Sequence, residues 1–150
     1  MVSASSVATL LNTYLNQSAL QINGKNATYT VTTWNMSQNA FTEKYLLNPS
    51  SRVDVLFTVK EALSRTKRYR QFLYRTEETT FEVGVWLAFI NRADAAAYNT
   101  LRDAAVSEVK RIFNANPSYG VYIGLKNSDH TKGAVWILYT VISVNTITES

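Results

Sequence analysis

The 150-residue chain contains no cysteine, a single histidine, two prolines and only five glycines. Without cysteine there is no disulfide framework, thiolate metal site, iron–sulfur cluster or cysteine nucleophile. One histidine excludes a multi-histidine zinc or copper site within one chain. So few glycines argue against a glycine-rich loop that cradles phosphate. We therefore expect a protein with no cofactor and no bound metal.

Long apolar runs are also lacking. No stretch approaches the roughly 20 apolar residues that cross a bilayer, and the first residues have neither the basic nor the apolar region of a signal peptide. We expect no membrane partner and synthesis in a cytoplasm. The net charge of +4 is mild, so it permits a nucleic-acid partner without requiring one.

Apolar material is plentiful, at 46% hydrophobic and 12% aromatic residues. This is enough for a folded core, and the length predicts one domain spanning residues 1–150. We find no internal repeat and no linker rich in proline, glycine and serine. A polar arm at about residues 60–78 is the main departure from a regular core pattern.

Periodicity predicts the order α-β-β-β-α-β-β. A short helix over residues 5–15, capped by Ser5 or Ser6, buries Val7, Leu10, Leu11 and Tyr14. The longest helix covers residues 93–114, and its buried stripe comprises Tyr98, Leu101, Ala105, Val109 and Ile112. Period-two alternation places strands at residues 27–34, 52–59, 79–90, 119–125 and 134–146, while 35–48 is ambiguous. The expected fold is α+β, with a mostly antiparallel sheet, one long helix packed on it, a short N-terminal helix and a long β-hairpin arm.

Catalytic motifs are not apparent. Asp129 and His130 are neighbours in a polar turn, where a carboxylate could orient a general base, but no serine or cysteine nucleophile is identified nearby. Glu77 and Glu78 form the only adjacent carboxylate pair. Phosphate-loop, zinc-protease and hydrolase signatures are missing, so we expect a non-enzymatic protein.

The arm concentrates positive charge. Residues 60–75 hold six of the fifteen cations against a single carboxylate, Glu61. The cations are Lys60, Arg65, Lys67, Arg68, Arg70 and Arg75, and the interleaved aromatic residues are Tyr69, Phe72 and Tyr74. Arginine and aromatic side chains suit a protein interface or nucleic acid. The third interpretation is a solvated hairpin with some aromatic packing.

Two tryptophans raise the same question. Trp86 and Trp136 lie opposite the strongest apolar stripes of their strands, so a single covering helix would leave them exposed. An exposed aromatic patch usually marks a partner, and a second copy of the chain is the simplest one. Alternatively, the N-terminal helix and residues 41–47 cover this face.

This pattern resembles the tail terminator, or head–tail joining, family of tailed bacteriophages. The matching pieces are the apolar residues of the first helix, Arg52-Val53-Asp54-Val55, the arm with Arg65, Arg68 and Arg70, the strand from Thr80 to Trp86, the helix from Leu101 to Ile112 and the strand from Ala134 to Val141. Together they cover most of residues 1–146.

The resemblance implies a non-enzymatic virion protein that is assembled in the host cytoplasm. Members form a ring, commonly a hexamer, that caps the tail tube protein and docks the head connector, while DNA passes through the lumen without sequence-specific contact. On this interpretation the arm reaches a neighbouring subunit or the tube. Two other hypotheses are a nucleic-acid-binding α+β module using residues 60–75, and a small enzyme or ligand-binding domain whose site forms between subunits.

Overall fold

The computed structural model describes residues 2–34, 46, 48, 52–69 and 74–149 of the chain. Helix α1 spans Ala4–Tyr14 and buries Val7, Leu10 and Leu11, as the periodicity predicted. Tyr14, the fourth residue of the predicted stripe, is 51% exposed because it lies at the end of the helix. The cap of α1 is Ser3 rather than Ser5 or Ser6. The Ser3 hydroxyl accepts a hydrogen bond from the Ser6 backbone N–H at 3.1 Å, because the helix begins one residue earlier than expected.

A short 3-10 turn (Gln17–Ala19) leads into a two-stranded hairpin, β1 (Gln21–Ile22) and β2 (Lys25–Asn26). Asn23 and Gly24 connect these strands with positive φ angles of 52° and 76°. Two successive positive φ angles are what a tight type I′ hairpin turn requires, and Asn-Gly is its preferred sequence. The turn signal at this position therefore marks a hairpin.

The main sheet has six strands: β3 (Tyr29–Thr33), β4 (Val55–Tyr69), β5 (Tyr74–Phe89), β6 (Val121–Asn127), β7 (His130–Lys132) and β8 (Val135–Glu149). Their order is β3-β4-β5-β8-β6, and β7 pairs with β8. Only β3 and β4 are parallel; every other pair is antiparallel. The fold is thus α+β with a mostly antiparallel sheet, as expected.

Helix α2, which spans Ala95–Ala115, crosses one face of this sheet beside α1. Its buried residues include Leu101, Ala105, Val109 and Ile112, which confirms the predicted stripe. The same core contains the odd-numbered residues of β4 and β5 that alternate inward, namely Val55, Phe57, Val59, Phe81, Val83, Val85, Leu87 and Phe89. Both helices therefore cover a single face, called here the helix face.

A smaller core lies on the opposite face. Leu46, Leu56, Trp86, Ala88 and Ile137 are buried there together. This explains why β5 and β8 are apolar on both sides near one end of the sheet, since both sides are covered there.

The candidate interface at the sheet edges and the arm

The arm is a continuation of the sheet. After the pair Glu61↔Phe81, the β4–β5 ladder runs for seven further pairs to Tyr69↔Tyr74. At about 3.3 Å per residue this adds roughly 23 Å. Strand β8 pairs with β5 as far as Thr76↔Glu149. Within the described residues, the last two β4–β5 pairs, Arg68↔Arg75 and Tyr69↔Tyr74, therefore have no third strand beside them. The arm thus has a three-stranded base and a short two-stranded end.

The basic residues of the arm occupy defined places in this ladder. The register pairs Arg65 with Glu78, Lys67 with Thr76, and Arg68 with Arg75. Tyr69 and Tyr74 form the last described pair. Arg70 and Phe72, which are also interface candidates, lie outside the described residues. Over residues 65–75 the sequence carries five cations and no carboxylate, so the end of the arm is a strongly basic element.

Trp86 is fully buried, which corrects the expectation of an exposed side chain there. Its indole N–H donates to the Thr58 hydroxyl at 2.9 Å, and its ring stacks on Tyr139 with centroids 3.7 Å apart. Trp34 meets it edge-on at 5.2 Å, and Leu46 packs in the same cluster. Residue 46 belongs to the segment that the alternative interpretation placed over this face.

Burial and the negative charge of Glu82 raise the pKa of Tyr139 to about 12. Its phenol therefore stays neutral at any physiological pH, as suits a packing residue. The Lys60 ammonium lies 5.5 Å from the Trp34 ring centroid, where the ring quadrupole attracts a cation. Trp34, Trp86 and Tyr139 therefore form part of the smaller hydrophobic core at one end of this face.

Trp136 lies on the helix face, whereas both tryptophans were expected on the opposite face of the sheet. The register pairs it with Phe89, whose ring it stacks on at 6.2 Å, and Phe89 in turn stacks on Tyr98 of α2. The Trp136 side chain is 43% exposed, because it lies at the end of the sheet that is farthest from the arm. It remains available to a partner.

Asp129 contacts both helix α2 and the backbone of β8. Both Asp129 carboxylate oxygens accept from Arg102 Nη1, at 2.6 and 2.7 Å, and one also accepts from the Tyr139 backbone N–H. His130 Nδ1 lies 3.2 Å from the Ser128 carbonyl oxygen. The carboxylate therefore ties the β6–β7 turn to α2.

Sequence reasoning missed a second ion pair, between Glu108 and Arg111 on α2. Glu108 is buried, accepts from Arg111 at 2.8 and 2.9 Å and accepts from the Asn16 backbone N–H at 3.0 Å. Arg111 also donates to the Tyr14 carbonyl. Hydrogen bonding from Arg111 lowers the pKa of Glu108 from its ordinary value, although burial opposes this shift. The pair fixes the end of α1 against α2.

Exposed apolar side chains at the edges are the other feature that sequence reasoning missed. On β6, Val121 is 54% and Ile123 is 57% exposed, and Leu125 is exposed as well. On β4, Leu63 is 57% exposed. The alternation of residues 119–125 predicted a strand, but only the sheet order shows that this strand is an outer one. Apolar side chains on an outer strand favour pairing with another chain.

No chemistry-bearing cluster is apparent elsewhere in the described ranges. Within them, no group of three or more histidine, aspartate or glutamate residues could hold a metal ion. A groove of about 310 Å³ between α2 and β6 is lined by Arg102, Asp103, Val106, Ser107, Lys110, Leu125, Asn127 and Thr140. Neither helix of the described part has the length and apolar character needed to cross a bilayer.

Comparison of the sequence with protein-family models finds no match, and comparison with curated proteins finds none at a significant level.

Proposed function

We propose that this chain is a non-enzymatic virion protein of a tailed bacteriophage. Copies of it form a ring, most simply a hexamer, that caps the tail tube and joins the tube to the head connector. DNA passes through the lumen of the ring without sequence-specific contact. The protein would be assembled in the host cytoplasm and reside in the tail or neck of the virion.

The observation that carries this proposal is the arm on an α+β domain. Its β4–β5 ladder continues for seven pairs beyond the pair Glu61↔Phe81. Phe81 is the β5 residue of the helix-face core that lies nearest to the arm. An extension of this length gives a small subunit the reach to touch a neighbour or the tube beneath it. The outer strand β6, with its exposed apolar side chains, adds a second surface suited to self-association.

Ring formation also agrees with the rest of the molecule. A closed ring repeats one heterologous interface around an axis, so each subunit needs two different contact surfaces. Among the described residues, the sheet has two different outer edges, one formed by β6 and β7 and the other by β3 and β4. A structural role requires no catalytic cluster, and the sequence signatures that would indicate one are missing.

Negative-stain electron microscopy of the purified protein tests the proposal, over a range of protein concentrations. We expect closed rings of uniform diameter with a central opening. Open filaments or separate subunits at every concentration would contradict it.

A double charge reversal, Arg68→Glu with Arg70→Glu, tests the part that the arm plays. Arg68 lies in the last but one described pair of the β4–β5 ladder, away from the core, and Arg70 follows it in the sequence. We therefore expect an unchanged circular dichroism spectrum and impaired assembly. The matched control is Lys25→Glu with Lys132→Glu, which changes the net charge equally and leaves the arm intact. Normal rings from the Arg68/Arg70 variant would remove the arm from the interface.

The second candidate is a nucleic-acid-binding module. The five cations and absent carboxylates of residues 65–75 favour it, because binding to phosphate is dominated by such charges. Affinity for duplex or single-stranded DNA would then fall steeply with salt and would fall further in the Arg68/Arg70 variant. Rings that bind neither form of DNA at low salt would exclude this candidate.

A further inference from the structure

The last part of the arm, residues 68–75 and called here the arm end, carries positive charge that its own strands do not balance. The β4–β5 register places Arg68 directly opposite Arg75, and like charges directly opposite each other destabilise a strand pair. The arm end contains three arginines and no carboxylate. On the two arm strands the nearest carboxylate is Glu77, which leaves a net positive charge at this pair. The arm end is therefore suited to a partner that supplies carboxylates.

Both ends of the described sheet expose large apolar side chains that could receive the arm end. The first is the arm base, defined here as the rows from Lys60↔Glu82 to Lys67↔Thr76 with their continuation into β8 and β6. The second is the far end, which lies beyond the row of Trp86. The exposed apolar residues are Leu63, Val121 and Ile147 at the arm base, and Ile90 and Trp136 at the far end.

The charges around these two ends differ in sign. Counted over both faces of the sheet, the strands of the arm base hold five carboxylates and three cations, whereas the far end holds two carboxylates and three cations besides the Arg102–Asp129 ion pair. A basic surface is attracted to the end with excess negative charge. The charged residues are Lys60, Glu61, Arg65, Lys67, Glu77, Glu78, Glu82 and Glu149 at the arm base, and Arg52, Asp54, Arg92, Asp94 and Lys132 at the far end.

We propose that the arm end of one copy packs on the arm base of the next copy. Opposite net charges attract the two surfaces, and the aromatic residues of the arm end, Tyr69, Phe72 and Tyr74, add apolar contact with the exposed side chains of the base. The two surfaces are different parts of the chain, so the contact is heterologous and repeats from copy to copy. This inference rests on the proposed ring and specifies which surface the arm contacts.

The arm base has room for such a partner on the sheet face opposite the helices. Leu63 and Val121 lie at the two ends of one cross-strand row, and Ile147 lies on the same face because it follows the β8 residue of that row by two positions. All three side chains are more than half exposed. Strand β3 ends opposite Val59, so it stops short of these residues. In the described ranges, therefore, this part of the face is open.

Cysteine crosslinking tests the contact, since the native chain contains no cysteine. The double variant Tyr69→Cys/Val121→Cys places one thiol at the arm end and one at the arm base. Within one chain these positions are far apart, because Val121 shares the row of Leu63 and Tyr69 lies six residues further along β4, roughly 20 Å. A short bismaleimide therefore joins them only between copies, and we expect a ladder of covalent oligomers on a denaturing gel.

Three control variants receive the same crosslinker. Tyr69→Cys alone and Val121→Cys alone should stay monomeric, because each leaves one side of the contact without a thiol. Tyr69→Cys/Ile90→Cys should also stay monomeric; Ile90 is 60% exposed but lies at the far end. A ladder from this variant in place of the Tyr69/Val121 variant would overturn the choice of the arm base. Covalent dimers alone from the Tyr69/Val121 variant would show a closed two-fold pair and overturn the repeating contact.

Failure of this contact can be distinguished from failure of the ring. Wild-type rings seen by microscopy, with no ladder from the Tyr69/Val121 variant, would overturn the contact and leave the proposed function standing, with the arm directed to the tube or to DNA. A ladder without wild-type rings in solution would support the contact as a weak one. Neither rings nor ladder would overturn both.

Two charge reversals provide an independent check. Arg68→Glu places opposite charges in the pair with Arg75, so the arm should be at least as stable as in the wild type, while association weakens several-fold. Glu61→Lys, at an exposed position of the arm base, should also weaken association. Its matched control is Asp103→Lys, an equal change at an exposed position of α2. Sedimentation measures association, and equal effects of Glu61→Lys and Asp103→Lys would contradict the contact.

Discussion

Gly84 leaves the space in which Trp86 and Tyr139 stack on the sheet face opposite the helices. A Cβ atom at this position would lie 2.4 Å from Thr58 Oγ1, 2.8 Å from Trp86 Nε1 and 3.0 Å from Tyr139 Cε2. All three atoms belong to the hydrogen bond and the ring stack that bury Trp86. The small residue is therefore a packing requirement at this point.

We expect Gly84→Ala to lower the free energy of unfolding by about 1–3 kcal/mol, the usual cost of overpacking a core. Denaturant unfolding monitored by tryptophan fluorescence measures the change. The control is Gly124→Ala, where an added Cβ meets no atom within 4 Å. Equal stability of the two variants would show that the cluster is looser than described.

Glu108 makes stability depend on pH. Its pKa in the folded protein is lowered below the ordinary value of 4.5, chiefly by the hydrogen bonds from Arg111. A lowered folded-state pKa contributes stability that is complete above the unfolded value and is lost as pH falls through the folded value.

Glu108→Gln should therefore be less stable than the wild type at pH 7, by about 1.5–3 kcal/mol for hydrogen bonds to a charged group. The difference should shrink below pH 4.5. Urea unfolding at pH 7 and at pH 3 measures it. A difference that stays constant between these pH values would contradict a role for the ionised carboxylate.

The sequence predicts which residues are apolar better than it predicts what they touch. Trp86 and Trp136 were both expected on one open face, yet they lie on opposite faces because Phe89 pairs with Trp136 and Trp86 with Tyr139. Period-two alternation fixes the faces within one strand only. The relation between strands depends on register, which arises from pairing at a distance in the chain.

Among the elements, helix α2 was predicted most completely. Its apolar stripe repeats over 21 residues, long enough for a helical period to be unmistakable. Glu108 escaped prediction because a charged residue beside the stripe looks solvent-facing in sequence. In the folded protein Glu108 is buried and accepts a hydrogen bond from the Asn16 backbone N–H, a contact between residues far apart in the chain.

Leu101→Ala should lower the free energy of unfolding by about 2–5 kcal/mol, as truncations of buried leucine do. Leu101 is fully buried between α2 and the sheet. Leu63→Ala, on an exposed leucine of β4, is the matched control and should stay within about 0.5 kcal/mol. Chemical denaturation of both variants decides the comparison, and a midpoint unmoved by Leu101→Ala would mean that the stripe is misassigned.

The structure confirms the expected β-hairpin arm, but the period-two alternation ended its two strands too early. Alternation of apolar residues ends near residue 59 and resumes near residue 79, whereas β4 reaches Tyr69 and β5 begins at Tyr74. The intervening ladder is held by backbone hydrogen bonds, which leave no apolar signature in sequence. Strands β1, β2 and β7 were missed for a related reason, since two or three residues cannot display a period.

At the scale of the whole molecule, the two candidate functions differ in the partner of the basic arm. In a ring the arm contacts a neighbouring subunit or the tube, and in a nucleic-acid-binding module it contacts phosphate. The ring accounts for the arm and also for the exposed apolar side chains at the two outer edges of the described sheet. The nucleic-acid interpretation accounts for the arm alone. We therefore favour self-association as the role of the arm and the sheet edges.

The absolute mass in solution, measured by light scattering on a sizing column, tests this account most directly. A hexamer of the 16.9 kDa chain would have a mass of about 101 kDa, and Leu63→Lys/Val121→Lys should shift the protein to the mass of one chain. A single mass of 16.9 kDa for the wild type at every concentration would contradict self-association.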